Sequence, residues 1–397
     1  MKTINYLPVL TVLIMFLAFV TPASLTAQES LTNFNTAALF GNDIDNFMDP
    51  NDYEKVEFES FFSEIQYDSF FGSQDLLTFG LAKKFGSTYT GFFFSGDIFQ
   101  YNDDGPGATT NDDGYTIQNS LQVLIGTPAI GGIKLGFGIQ GQDIEDAATG
   151  VSADFQIYTM MAGWGKNFEL KSGSILKPEI NAAMVLPSSG ASATFPGFDP
   201  TQITNSGAGI NVNLDNIFAV SLETDLVLVP KETVERIFSF EYDLLITKIS
   251  MSGFGFSEKT TLLFHNLLAS YKQIHPLTDN FSAAFNCGVD ISYASIKIGP
   301  VSVSTTGFTP SAAAGFIYQF NSPFSVNAAV NVEYPITKLS GGGVSDTLWG
   351  GFTTVTTAGG SFEPNSSLAI DFSYSNGNAG YYNTNINALS LGVRFKR

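Results

Sequence analysis

From 324 to 334 the chain reads FSVNAAVNVEY, with an apolar or aromatic residue at Phe324, Val326, Ala328, Val330, Val332 and Tyr334. Between them stand Ser325, Asn327, Ala329, Asn331 and Glu333. Successive side chains of an extended strand point to opposite faces, so this ribbon is apolar on one side and mostly polar on the other. It runs about twice the length of an ordinary strand, which has about five or six residues. Two kinds of fold accept such a ribbon. In a soluble sandwich the apolar face packs on a second sheet. In a membrane barrel it faces lipid and the polar face lines the lumen.

Repetition of the pattern favours the barrel. Similar alternation recurs at 115–125 (YTIQNSLQVLI), 133–142 (IKLGFGIQGQ), 238–247 (FSFEYDLLIT), 281–293 (FSAAFNCGVDISY) and 368–374 (LAIDFSY), with turn residues between. No stretch carries a helical period. Runs of this length suit a tilted strand crossing a bilayer, which needs roughly 9–11 residues. The expected fold is therefore all-β: a transmembrane, antiparallel, up-and-down barrel of about 16 strands (range about 14–18).

The expected strands lie near 56–70, 75–84, 87–99, 114–125, 132–142, 152–165, 175–186, 217–229, 235–249, 260–272, 281–295, 310–320, 324–334, 349–358, 366–374 and 386–395. With both termini inside the cell envelope, the short connections at 84–86, 126–132, 230–234 and 321–323 all fall on the periplasmic side. The longer or Gly-rich ones at 101–114, 187–216, 295–309 and 340–346 fall outside. The stretch GINVNLDN (209–216) alternates well enough to be a further strand, which another near 301–304 would balance. Loop aromatics such as Tyr381 and Tyr382 suit an interfacial girdle.

Composition agrees with a lipid-facing surface. Charged residues make up 14%, against about 25% in soluble domains, while Phe contributes 37 residues and Gly 39. The formal net charge of −19 opposes the phosphate backbone, so nucleic acid is not an expected partner. The first 27 residues read as a secretory signal peptide: Lys2, an apolar run at 7–20, and small residues up to Ala27. Residues 28–55, rich in Asn, Asp and Gly and without alternation, form a separate segment that could plug the lumen, and 56–397 form the barrel. The single cysteine, Cys287, excludes an internal disulfide framework and shares a face with Phe285 and Val289.

On this register the lumen-lining residues are Glu241, Asp243, Asn286, Asp290, Asn327, Asn331, Glu333 and Asp371. The lipid-facing set is Phe324, Val326, Val330 and Val332. The final strand, INALSLGVRFKR, has its apolar face at Leu389, Leu391, Val393 and Phe395. It resembles the closing strand of bacterial outer-membrane β-barrels, which commonly ends in an aromatic residue read by the barrel-assembly machinery. That resemblance makes Leu391, Val393 and Phe395 a C-terminal strand signal, although Lys396 and Arg397 follow it here. The segment NDIDNFMDPNDY (42–53) and the later LTFGLAKKFGSTYTGFFFSG resemble uncharacterised barrel proteins of spirochaetes, which implies an envelope protein and no particular substrate.

Motifs for chemistry are weak. In GFGIQG, Gly136, Gly138 and Gly141 have the spacing of a dinucleotide loop, but no helical pattern follows and no βαβ context surrounds them. Two NDDG copies, with Asp103, Asp104, Asp112 and Asp113, lack the closing Glu of a calcium loop and suit turns. Histidine occurs only at His265 and His275, and His265 and Ser270 stand on opposite faces of one strand. No enzyme, cofactor or metal is expected. The sequence therefore points to an outer-membrane barrel whose partners are membrane lipid, the assembly machinery and an unidentified small solute. Its expected role is a pore or uptake channel for small or hydrophobic solutes. The alternatives are a surface-display barrel with ligand-binding loops and a soluble secreted sandwich.

Overall fold

The computed structural model describes residues 49–53 and 60–396, apart from 69–73, 103–112, 147–150, 188–191, 196–209, 229–233, 254–255, 299–300, 321–322, 342–343, 366–367 and 380–383. The signal peptide and most of the segment 28–55 therefore lie outside the described residues, as do Tyr381 and Tyr382. The described chain forms twenty strand stretches. They are β1 (Ser60–Asp68), β2 (Gln74–Phe85), β3 (Thr88–Asn102), β4 (Asp113–Thr127), β5 (Gly131–Asp146), β6 (Val151–Gly165) and β7 (Phe168–Glu169). Next come β8 (Ile175–Pro187), β9 (Ser192–Phe195), β10 (Ile210–Leu228), β11 (Glu235–Gly253), β12 (Phe256–Thr278), β13 (Phe281–Ile298) and β14 (Val301–Gln319). The last are β15 (Phe324–Glu333), β16 (Ile336–Gly341), β17 (Val344–Trp349), β18 (Thr353–Asn365), β19 (Leu368–Ala379) and β20 (Thr384–Lys396).

Four of these stretches continue a neighbour rather than add a wall strand. β7 extends the pairing of β6 along β8, and β9 extends β8 between β6 and β10. β16 extends β15 along β14: Ser311 stands opposite Glu333 and Phe308 opposite Ile336, so the register is unchanged across Pro335. β17 leads into β18, which pairs with β15. Sixteen staves remain, one for each expected strand. Each pairs antiparallel with its neighbours in chain order, and β20 pairs back onto β1 from Ser60 opposite Lys396 to Asp68 opposite Ala388. That pairing returns the order to its start, making an up-and-down β-barrel without free edges.

Local chemistry accounts for the turns at one end. Phe85 pairs with Thr88, leaving Gly86 and Ser87 as a two-residue turn, and Gly86 has φ +64°, which costs a glycine little. At the other end several staves run longer than expected. The interval 295–309 is almost entirely strand, with β13 reaching Ile298 and β14 starting at Val301. Likewise, within 340–346, Ser340 pairs with Ser345 and Gly341 with Val344 at the ends of β16 and β17. The segment 209–216 is no separate strand: from Ile210 it is the start of β10, offset by an irregularity between Leu214 and Ile217. The stretch near 301–304 is likewise the start of β14. Alternation therefore marked strand correctly in both places, but it could not mark where one stave ended, because pairing partners decide that.

The two faces invert the pattern of a soluble protein. On β5, Lys134 is 6% exposed while its neighbour Leu135 is 53% exposed. On β4, Gln122 is buried between exposed Leu121 and Ile125. Phe137, Met160, Trp164, Ile180, Met184, Phe218, Phe238 and Phe240 continue the exposed apolar surface around the barrel. The outward face carries large apolar side chains, while the inward face carries glycine, polar groups and charges together with buried apolar residues such as Phe93 and Leu124. Such an exterior is stable next to hydrocarbon and unstable next to water.

Candidate functional site

The interior holds two features: a docked N-terminal turn and an acidic band. The turn spans 49–53 and sits against β3, β4, β5, β6 and β8 at the short-turn end. The Tyr53 N–H donates to the Asp49 carbonyl at 3.1 Å, and the Asn51 N–H donates to the Asp49 carboxylate at 2.6 Å, fixing its shape. The Gly132 N–H donates to the Pro50 carbonyl at 3.2 Å, and Asn167 Nδ2 to the Asn51 carbonyl at 2.6 Å. Lys177 Nζ grips both oxygens of Asp52 at 2.7 and 2.8 Å. Tyr53 stacks obliquely with Tyr89 at 5.7 Å between ring centroids and joins Ala82, Phe93 and Leu124 in a buried cluster.

Glycine makes room for this turn. A Cβ on Gly126 would stand 2.6 Å from the Tyr53 ring, and one on Gly132 would stand 2.5 Å from the Pro50 carbonyl oxygen. Any larger residue at either position would push the turn off the wall. These barrel glycines, and the turn they admit, were not legible as a site. Their signal was only an alternating Gly pattern beside a segment without alternation.

Burial and its neighbours hold the Asp49 carboxyl at a pKa of about 7, well above the ordinary carboxylate range. Desolvation is the main cause, followed by the negative charges of Glu179 and Asp52; the Asn51 N–H and Lys177 act in the opposite direction.

Above the turn lies the acidic band. Glu223 stands directly opposite Glu179 on one side and Glu241 on the other. Asp225 pairs across from Lys177, and Asp243 from Ser221 and Asn266. The carboxylates of Glu179, Asp225, Glu241 and Asp49 are all near enough to act electrostatically on Glu223. Lys134 reaches Glu179 at 3.4 Å, and Asn181 Nδ2 donates to the same oxygen at 2.7 Å. Asp225 Oδ1, Asn266 Oδ1 and Asn286 Oδ1 are buried acceptors with no hydrogen-bond partner among the described residues.

The expected lumen residues fall on the same parity as this band. Glu241, Asp243, Asn286, Asp290, Asn327, Asn331, Glu333 and Asp371 are all half-buried. Asn331 Nδ2 donates to Glu333 at 3.0 Å, and Asp290 stands opposite Leu268, two positions from Asn266. Three carboxylates of the band, Glu179, Glu223 and Asp225, were not singled out, although the alternation of 175–186 and 217–229 puts them on this face. Other staves bring lysines to the inner face: besides Lys134 and Lys177, Lys272 stands between Ile237 and Asn286. The interior is apolar in part, with Ile217, Leu245, Leu262, Ile296 and Val303 buried on it.

On the outer face, Val330 is 40% exposed and lies between Ala314 and Thr356. Phe324, Val326 and Val332 are half-buried on the same parity, beside exposed Phe362, Tyr318 and Ala312 respectively. In the last stave, Leu391 is 55% exposed opposite exposed Phe372. Val393 is half-buried and pairs with Ile370, and Phe395 pairs with Leu368 and Phe61. His265 is on this outer face too, hydrogen-bonded through Nδ1 to the Tyr242 hydroxyl at 2.6 Å. That position removes it from the inner wall and any chemistry there.

No family model and no curated protein matches this sequence, and nothing found supports the resemblance to spirochaete barrels. Solved structures with a similar course of chain include the copper transporter OprC, at 10% identity and TM-score 0.45, covering 81% of this chain and 62% of OprC. This chain thus spans less than two thirds of that protein. A deletion mutant of the TodX monoaromatic hydrocarbon channel is 10% identical with TM-score 0.43, covering 90% of this chain and 95% of the channel. The ferric yersiniabactin receptor FyuA from Yersinia pestis is 10% identical with TM-score 0.39, covering 85% and 80%.

Proposed function

We propose that the chain is an outer-membrane β-barrel that takes up small or apolar solutes, with its N-terminal segment as a plug at the periplasmic mouth. The docked turn is the observation that carries this reading. A barrel serving only as an anchor gains nothing from glycine-lined space, an ion pair and a buried tyrosine that together hold five residues inside its wall. In this reading residues 1–27 export the chain, 28–55 supply the plug and 56–397 form the barrel. Phe324, Val326, Val330 and Val332 face lipid, the eight polar residues named above line the lumen, and Leu391, Val393 and Phe395 present the closing strand to the assembly machinery.

Solute class follows from the wall. Buried aliphatics on β10 to β14 offer an apolar surface, and the acidic band beneath them favours a neutral or cationic solute over an anion. Conductance of the refolded full chain in planar bilayers tests the proposal. The full chain should conduct little, and a chain lacking 28–53 should conduct more. Equal conductance of two correctly inserted forms would remove the plug.

One observation favours a display role instead. The stretches β10 to β14 run 18 to 23 residues, about twice what a bilayer requires. Their outer ends would stand clear of the membrane and could present the connecting loops to external ligands. Absence of conductance in every form would leave that reading standing.

A further inference from the structure

A second surface is defined by where the positive charge sits. In the half of the barrel away from the short turns, the Lys and Arg residues among the described ones are Lys248, Lys259, Lys297 and Lys338, on β11, β12, β13 and β16. All four are exposed. All four also share the outward parity of the apolar belt. Lys248 follows Ile246 on that face, Lys297 follows Tyr293 by two such positions, and Lys338 follows Ile336. Lys259 precedes Leu263 by two positions.

The pairing draws them into an arc. Lys248 stands opposite Thr261 and Lys259 opposite Ser250, a diagonal relation that separates their Cα atoms by about 7–8 Å. Lys297, on the next stave, faces Ser302, and Lys338 faces Thr306 on the far side of β14. Among the described residues none of the four makes an ion pair. Asp346, near Lys338 on β17, accepts a hydrogen bond from the Thr347 N–H at 2.8 Å. A chain of net charge −19 thus confines the basic residues of this half to one outward rim, immediately beyond the lipid belt.

We propose that this arc binds the phosphorylated headgroup of an outer-leaflet lipid. The inference rests on the membrane-barrel reading. Long lysine stems lie along apolar surface and carry their ammonium groups to the headgroup level. An anionic solute approaching the mouth would meet the acidic interior instead, whereas a headgroup anchored beside the belt meets only the rim.

The test uses the full chain refolded into phosphatidylcholine vesicles containing a minority of bisphosphorylated lipid A. Lipid retained after detergent extraction is counted by native mass spectrometry, and insertion is followed by heat-modifiable migration. Replacing all four residues (Lys248→Ser, Lys259→Ser, Lys297→Ser, Lys338→Ser) should lower lipid A retention by about tenfold or more. The pair Arg236→Ser and Lys171→Ser, at the opposite end, should leave it unchanged. Equal retention by an inserted quadruple variant would overturn the proposal while leaving the barrel reading intact. Displacement of lipid A by inorganic phosphate at matched phosphate concentration would overturn the assignment to lipid. Failure of the unaltered chain to insert would overturn both.

Discussion

A guanidinium in place of Val330 is a sharp probe of which face meets lipid. Near the bilayer midplane, Val330→Arg should destabilise the folded barrel by about 2–4 kcal/mol. Asn331→Arg, one residue along and on the opposite face, should cost far less. Urea unfolding of the two variants in vesicles measures both, and equal losses would mean that both faces are packed as in a soluble core. Asp49 gives a second residue-scale prediction. Its pKa in the docked turn is about 7, raised from an ordinary value near 3.9, so the docked state binds a proton that the undocked state releases. Docking is therefore tightest below about pH 4, weakens as pH rises and is weakest once pH passes 7. If the turn obstructs the mouth, conductance should rise between pH 5 and pH 8. Asp49→Asn should flatten that rise, and an unchanged profile in the variant would place the titration elsewhere.

At the scale of elements, the turn and its socket act as one unit. Asp52 and Lys177 are each about nine-tenths buried as side chains, and removing one partner of such a pair strands the other charge at a cost of about 3–5 kcal/mol. Lys177→Met should thus undock the turn while leaving the staves paired, since Lys177 joins the wall through its backbone. Gly132→Val should do the same by steric displacement of Pro50. Faster proteolysis of the N-terminal segment, with unchanged heat-modifiable migration, is the expected readout for both variants. Resistance equal to that of the original chain would show that the socket does not hold the segment.

For the whole molecule, the arrangement of charge predicts selectivity. Fields from Glu179, Glu223, Asp225, Glu241 and Asp243 add within a low-dielectric wall, while charges on exposed outer loops are screened within about 8 Å. Reversal potentials of the chain lacking 28–53 should show cation preference. The preference should fall when Glu241, Asp243 and Glu333 become Gln, Asn and Gln. Anion preference would exclude the acidic band as the conduction path. Lys134, Lys177 and Lys272 share the interior and should keep the preference moderate.

Alternation by itself determined the secondary structure and which side chains share a face, because a pleated strand offers its residues only two directions; the number of staves it left between about 14 and 18. Phe324, Val330, Asn331 and Glu333 could thus be sorted before any coordinates, and so could Glu241 and Asp243. Tertiary structure decided the rest, for reasons that lie in pairing. Where a stave ends depends on its neighbours, so 210–216 became the start of β10, while 295–298 and 301–309 became the ends of β13 and β14. That Glu179, Glu223 and Glu241 stand side by side is a fact of register among three consecutive staves, which the alternation within each stave does not fix. The socket of residues 49–53 depends on the same closure: Gly126, Gly132 and Lys177 meet the turn only once β4, β5 and β8 are curved around it, and no local pattern encodes that meeting.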